Sequence, residues 1–429
     1  MIIVLTILLL LALFAFGVPV GFSLAISGCF GLIMTNGFDS ILFYVGKIAH
    51  TSVANFTLTT VPMFILMAEF ASKGKLANQL FTVANRFLGY LPGGMAIATV
   101  MASAGFGAMC GTSSAAAATM SSIAVPEMFK IGYKPRIATG IVAVAGTLAI
   151  MIPPSVPLVV YGVTTEMSIG KLLIAGIIPG IITAGVYSLG IICWTKLSSG
   201  VMPTSVRYAW KERIESLKGL APFIILVLAV IGGMYSGVAT PTEIAALGAL
   251  FTLIICLLMR SINLQEIVQA IEKTVLTTTM IYTILVGAMI FGYYLTTSQV
   301  AQKSIAFVDA LGIPGWGVMA IVCVLYLIMG CFMDTIAILL ITLPLTFPLV
   351  TSLGYDGLWF GIIVVKLCEI GLCTPPVGLN IYVTSGTTGV PLEEVFKGVG
   401  VMLAFEAVTL LILLAFPSIV TFLPSLMKS

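Results

Sequence analysis

Charge is what this sequence has least of. Only 8% of its 429 residues are Asp, Glu, Lys or Arg, against about 25% in a soluble domain, which excludes an ordinary water-soluble fold. Histidine is reduced to His50 alone, excluding His-based zinc or haem ligation and a His-dependent catalytic triad. The eight cysteines lie scattered in apolar stretches with no C-x-x-C spacing, so neither a metal framework nor a disulfide scaffold is indicated. No G-x-x-x-x-G-K-[ST] segment occurs, which excludes ATP hydrolysis through a P-loop, and GFGAMCG at 105–111 has the wrong spacing for a dinucleotide fingerprint. A membrane enzyme would need His, Asp or Cys clustered at an interface, and the pattern shows no such cluster.

What remains is apolar. Hydrophobic residues make up 60% of the chain, in runs long enough for helices that cross a hydrocarbon core of ~30 Å. The expected class is therefore an all-α integral inner-membrane protein. A barrel would show short alternating segments instead. Spans are expected near 2–16, 19–35, 52–72, 137–165, 172–195, 220–236, 242–259, 274–297, 358–385 and 399–424. The first has no basic residue ahead of it and no small-residue cleavage site, so it reads as a retained span. The net charge of +3 reflects membrane orientation and not a nucleic-acid surface. Two short amphipathic stripes, Leu76/Leu80/Val83/Phe87 and Val206/Trp210/Ile214/Leu217, fit interfacial arms or ordinary helices packed on the bundle.

Two apolar stretches, Gly94 to Glu127 and Gly317 to Asp356, are too long for one crossing and short for two. Basic residues accumulate on the cytoplasmic side. Lys73, Lys75 and Arg86 precede the first stretch and Lys130, Lys134 and Arg136 follow it, so it enters and turns back as a re-entrant hairpin. The second is flanked by Lys303, Asp309 and Asp356 and enters from the opposite face. This topology puts 14 of the 19 basic residues inside, leaving Lys47, Lys171, Lys303 and Lys428 outside and Lys366 within a span.

The chain also repeats itself. At an offset of 222 residues, the distance from Pro153 to Pro375, Pro92-Gly93 falls on Pro314-Gly315, Tyr133 on Tyr355 and Pro153-Pro154 on Pro375-Pro376. One deletion brings Cys110 onto Cys331. Because the charged flanks of the two copies lie on opposite sides, the repeats are inverted, as in secondary transporters with broken helices at a midplane site. Pairs such as Gly17/Gly21, Gly107/Gly111 and Gly176/Gly180 are expected to serve helix packing.

Irregular backbone at membrane depth is tolerated only where protein or a water-filled cavity satisfies it. The first hairpin turns at Cys110-Gly111-Thr112-Ser113-Ser114 and the second at Cys331 to Thr335. Pro153-Pro154 and Thr374-Pro375-Pro376 then break the helices that follow. Half-helix N-termini suit an anion, while hydroxyls and free carbonyls suit a cation. Asp334 is read either as a cation ligand or as a helix N-cap. Thr147, at the position matching Glu369, and Asn380 are candidate lining residues or interhelical packing partners. Lys366 and Glu369, spaced i, i+3, are expected to pair with each other. Glu69 and Glu406, lacking partners on their own helices, are expected to snorkel.

GTSSA at 111–115, AGTLAIMIPPSVPLVVYG at 145–162, GCFMDT at 330–335 and GLCTPPVGLNIYVTSG at 371–386 resemble the large membrane subunit of TRAP (tripartite ATP-independent periplasmic) transporters, and closely those for sialic acid. The resemblance runs across essentially the whole chain. It implies an elevator, with scaffold spans and an arm in 1–95, transport elements in 96–200, a second scaffold segment in 201–315 and second transport elements in 316–429. It further implies Na⁺ symport of a small organic anion, with no other cofactor, and two partners: a periplasmic substrate-binding protein and a separate four-helix membrane subunit. Na⁺ is expected near Ser113 and Asp334, with Gly111, Thr112, Ser114 and Thr335 in the same Na⁺ and substrate region. The alternative is a stand-alone Na⁺-coupled dicarboxylate carrier that needs no binding protein; a channel fits two gated hairpins less well.

The inverted arrangement is testable by labelling. In a background without native cysteines, single cysteines beside Lys134 and beside Asp356 should react with impermeant thiol reagents from opposite faces. Reaction of both from the periplasm would contradict the topology.

Overall fold

The computed structural model describes residues 2–198, 202–203 and 207–427, so Val206 and Lys428 lie outside the described residues. The first half contains α1 (Ile2–Ala15), α2 (Val20–Asn36), α3 (Phe38–Val53) and α4 (Thr60–Lys73), then α5 (Leu76–Leu88). A hairpin follows, α6 (Gly94–Cys110) and α7 (Ser113–Lys130), then the interrupted run α8 (Pro135–Ala145), α9 (Leu148–Met151) and α10 (Val156–Thr165), and finally α11 (Ile169–Ala175) and α12 (Ile177–Leu197). The second half has α13 (Trp210–Ser236), α14 (Pro241–Leu258), α15 (Leu264–Thr297) and α16 (Val300–Leu311), then a second hairpin, α17 (Gly315–Gly330) and α18 (Thr335–Ser352). It closes with α19 (Gly357–Leu372), α20 (Leu379–Thr388), α21 (Leu392–Ala415) and α22 (Ser418–Ser425).

Among the described residues, six helices are long and apolar enough to cross a membrane, or eight counting two pairs bent by 49° and 43°. The second bent pair, residues 135–151 and 156–165, is the helix broken at Pro153-Pro154. Displaced by 222 residues, α7 coincides with α18 and α10 falls one residue from α20, so the sequence repeat is a repeat of structure. The expected spans at 2–16 and 19–35 are helices of 14 and 17 residues, shorter than those six, and two further expected spans are bounded differently. The span at 52–72 starts only at α4 and is preceded by α3, whose Asp39, Lys47 and His50 dilute its hydropathy. The last span is divided at Phe416-Pro417, where α21 ends.

Local chemistry fixes the boundaries. Asn263 and Glu266 form a reciprocal capping box at the start of α15, with bonds of 2.9 and 2.8 Å. Thr240 and Glu243 do the same for α14, which also has Pro241 at its first position. Asp356 caps α19 through the Trp359 amide at 2.9 Å. Leu76, Leu80 and Val83 are buried, and α5 packs on α6 and α13, so this stripe is a bundle contact. Trp210, Ile214 and Leu217 are instead exposed at the start of α13, an apolar face available to lipid.

Contacts between the halves follow the repeat. α2 runs parallel to α15, with Gly21 against Thr283 and Gly28 against Phe291. Its counterpart pair, α14 and α4, is also parallel, from Thr60–Thr242 at 2.8 Å to the Cys256 thiol against the Phe70 carbonyl at 3.5 Å. α8 and α21 cross where Gly140 and Gly398 meet back to back. A Cβ on Gly140 would stand 2.3 Å from the Gly398 carbonyl carbon. Among the expected small-residue contacts, Gly21, Gly107, Gly176 and Gly180 are similarly crowded by a neighbouring element, whereas Gly17 faces open space.

Gly140→Leu should therefore lower thermal stability in detergent by about 3 kcal/mol or prevent accumulation. Gly400→Leu, two residues along α21 in open space, serves as control. Equal stability of the two variants would show that the crossing tolerates separation.

Candidate functional site

Each hairpin turn is tied to the break in the helix that follows its hairpin. The Val156 amide donates to the Gly111 carbonyl at 3.2 Å, and the Gly378 amide donates to the Cys331 carbonyl at 3.4 Å. The donors are equivalent positions of the two repeats, and the acceptors, at the two turns, are one residue from equivalence. Both prolyl pairs, Pro153-Pro154 and Pro375-Pro376, contain a cis peptide bond. Gly111 and Gly378 adopt φ of +66° and +64°, where a side chain is disfavoured. A Cβ on Gly111 would also stand 2.9 Å from the Pro154 carbonyl oxygen. The interruptions therefore hold one another in place.

Between the tips and α4 and α15 lies a cavity of about 300 Å³. Thr112, Ser113 and Ser114 line it from the first tip, Asp334 and Thr335 from the second, and Glu69 and Lys273 from the opposite wall. Asp334 accepts from the Ile336 amide at 3.1 Å, so it caps α18, and the same residue lines the cavity. Capping occupies one carboxylate oxygen, so the two readings of this residue are compatible.

Behind the tips sits Glu369, fully buried on α19. Its Oε1 accepts from Thr335 Oγ1 at 2.8 Å, and the Ser113 side chain is directed at the same carboxylate. Ser113 and Thr335 are equivalent positions of the two repeats, so the hairpins converge on one acid. Asn380 is also fully buried, and its amide points to the Cys373 thiol at 3.7 Å. Thr147, Pro153, Pro154, Thr374, Pro375, Pro376 and Asn380 all lie off this cavity's wall.

Three charged residues have other partners than their helices alone suggest. Lys366 pairs with Glu406 of α21 and not with Glu369. Both are fully buried, so Glu406 does not snorkel. It accepts from Tyr187 and, at 2.8 Å, from Thr147 Oγ1, while Lys366 reaches Thr183 Oγ1 at 3.4 Å. Thr147, which precedes α9, thus belongs to this network with residues of α12, α19 and α21. Glu69 is paired as well, with Lys273 Nζ 2.9 Å away on α15. The only signal for these residues in the sequence was ionisable groups at membrane depth; their partners come from distant segments.

A model of the family described as "Tripartite ATP-independent periplasmic transporter, DctM component" matches residues 7–419. The chain belongs to this family. It is 38% identical to the C4-dicarboxylate TRAP transporter large permease protein DctM of Pseudomonas aeruginosa, covering 94% of this chain and 92% of that protein. Similarity extends to the isethionate TRAP transporter permease protein DctMQ of Oleidesulfovibrio alaskensis, at 34% identity over 95% of this chain and 64% of that protein. The sialic acid permease SiaM of Vibrio cholerae is 29% identical, covering 96% and 95%. The expected particular closeness to sialic-acid permeases is thus corrected: a C4-dicarboxylate permease is more similar. Among solved structures, the Alcanivorax borkumensis YdaH transporter superposes with a TM-score of 0.62 over 92% of this chain and 89% of its own, at 14% identity, a likeness of fold. The permease is accordingly a multi-pass membrane transporter and not an enzyme.

Removing one member of a buried ion pair strands the other in a low-dielectric interior, at about 3–5 kcal/mol. Lys366→Met should therefore destabilise the permease by about that amount in detergent melts, and Lys366→Met with Glu406→Met should recover most of it. A double variant less stable than either single would contradict the pairing.

Proposed function

We propose that this permease is the elevator subunit of a Na⁺-coupled system for uptake of a small organic carboxylate. A periplasmic binding protein delivers the substrate, and a small four-helix membrane subunit completes the scaffold. The observation that carries the reading is the meeting of the two repeat-equivalent tips, Ser113 beside Thr112 and Ser114, and Thr335 beside Asp334, around one cavity. In this reading the transport elements are residues 96–200 and 316–429, and residues 1–95 and 201–315 are scaffold. The parallel pairing of α2 with α15 and of α4 with α14 supports a scaffold shared between the repeats. The fixed backbone of both interruptions supports transport elements that move as a body.

The chemistry divides between cation and anion. Hydroxyls and carbonyls at the turns, together with the Asp334 carboxylate, are hard oxygen donors that can replace the hydration shell of Na⁺. Ser113 and Ser114 of α7 and Thr335 and Ile336 of α18 put both helix N-termini on the cavity wall, where the helix dipoles favour an anion. Na⁺ bound first cancels the charge of Asp334 and makes the same place receptive to a carboxylate. The C4-dicarboxylates transported by relatives are the first substrates to test, followed by sialic acid, isethionate and ectoine, which relatives also carry.

The test is uptake into proteoliposomes by permease and small subunit, with candidate binding proteins and an imposed Na⁺ gradient. Uptake should require both the gradient and the binding protein; robust uptake by the purified chain alone would favour a stand-alone carrier. Asp334→Asn keeps the helix cap but removes the charge. It should raise the Na⁺ concentration for half-maximal uptake at least about tenfold, as expected for loss of a charge-assisted ligand. Unchanged Na⁺ dependence would make Asp334 a cap only.

A further inference from the structure

We infer that Lys273 is an anion-recognition residue that shares, or exchanges, its Glu69 partner with the carboxylate of the substrate; this rests on the organic-anion reading above. The cavity wall carries two carboxylates, Glu69 and Asp334, and one ammonium, Lys273. With Na⁺ balancing Asp334 as proposed above, an anion entering it still meets Glu69 unless a cation on the wall can turn to it. Lys273 is that cation.

Its setting distinguishes it from ordinary helix glue. α4 and α15 are cross-linked by two neighbouring rungs, Glu69–Lys273 at 2.9 Å and Lys73–Gln269 at 2.8 Å. Only the first rung lines the cavity. The Glu69 side chain is 10% exposed whereas that of Lys273 is 61% exposed, so the acid is held in place while the base is accessible. An ammonium has three donors on a flexible stem, and one suffices for Glu69. The others can reach a carboxylate seated at Ser113, Ser114 and Thr335. Such bridging removes the repulsion between substrate and Glu69 without leaving Glu69 unpaired.

Position adds a consequence. Lys273 stands on α15, in the proposed scaffold, while the hydroxyl tips belong to the moving elements. The charge distribution puts its end of α15, near Arg260, on the cytoplasmic side. The ammonium can therefore engage the anion only while the tips stand opposite this part of α15. Lys273 thus contributes recognition at one end of the stroke, and Glu69 reclaims it when the anion departs.

The experiment uses the full complex in proteoliposomes and the anion that wild type carries best among succinate, sialic acid and isethionate, with transport measured as efflux from the cytoplasmic face. Lys273→Gln should raise the KM for that anion about tenfold, with the Na⁺ concentration for half-maximal transport unchanged. Glu69→Gln, which frees the ammonium and removes a negative charge from the wall, should lower KM. Lys273→Cys in a background without native cysteines should behave like Lys273→Gln, and reaction with aminoethyl methanethiosulfonate, which forms a mixed disulfide carrying an ammonium and releases methanesulfinate, should return KM towards wild type. That recovery separates lost recognition from misfolding. Equal KM increases for Lys273→Gln and Glu69→Gln, or no increase for Lys273→Gln, would reduce the pair to a structural rung and overturn the inference. A wild-type complex that carries none of the three anions would overturn the underlying anion reading, and the inference with it.

Discussion

Backbone amides and carbonyls inside a membrane must find partners in the protein, and the architecture of this permease follows from where four helices are allowed to stop. Two hairpins and two interrupted helices would leave unpaired groups in hydrocarbon if each were alone. Placed together they serve one another: the Val156 amide reaches the Gly111 carbonyl, and the Gly378 amide reaches the Cys331 carbonyl. Glycine is required where the turn runs left-handed and the opposing backbone approaches closely, as at Gly111. Once these ends are joined, the remaining carbonyls, amides and hydroxyls are directed at a shared cavity, and polarity appears where ion and substrate chemistry can use it.

Much of this was legible in the amino-acid sequence because it depends on residues close together in the chain. Pro-Pro pairs, the small hydroxyl residues at 112–114 and the acid at 334 announce the interruptions, and the offset of 222 residues gives their correspondence. Contacts between distant segments were not legible. Lys366 and Glu369 are near neighbours on one helix, yet burial sends Lys366 to Glu406 and leaves Glu369 to the hairpin tips through Thr335. Helical spacing gives proximity along one surface; it does not say which surface faces another helix. α3 was missed because hydropathy alone undervalues a helix with polar residues on its exposed side. In the proposed reading substrate identity is hidden for a similar reason, being written in a few side chains brought together from α4, α15 and both tips.

The fully buried pair and the cavity pair illustrate two uses of charge in a membrane. Lys366 and Glu406 are surrounded by Thr147, Thr183 and Tyr187, which satisfy much of their hydrogen-bonding capacity. Such a network resists rearrangement, because moving either charge away exposes the other to a low dielectric. It joins α19 to α21 on elements that also carry the second break. Glu69 and Lys273 have an unequal environment, one end enclosed and the other open. Their pairing energy is reduced by water, so a competing anion can share the ammonium at modest loss.

That difference bears on how a carrier can be both rigid and cyclic. Substrate and cation must meet a preformed arrangement, or ordering the turns would consume the free energy of binding. In the proposed elevator, the backbone bonds at the two turns and the Glu369 contact with Thr335 give such an arrangement within the transport elements. Release requires the opposite property at the boundary with the scaffold, where contacts must be made and lost in every cycle. A weak, solvent-reached ion pair suits that boundary, and a buried one does not. In the proposed elevator, the placement of the two lysines, one sealed among α12, α19 and α21 and one facing the cavity from α15, therefore separates what must stay together during transport from what must let go.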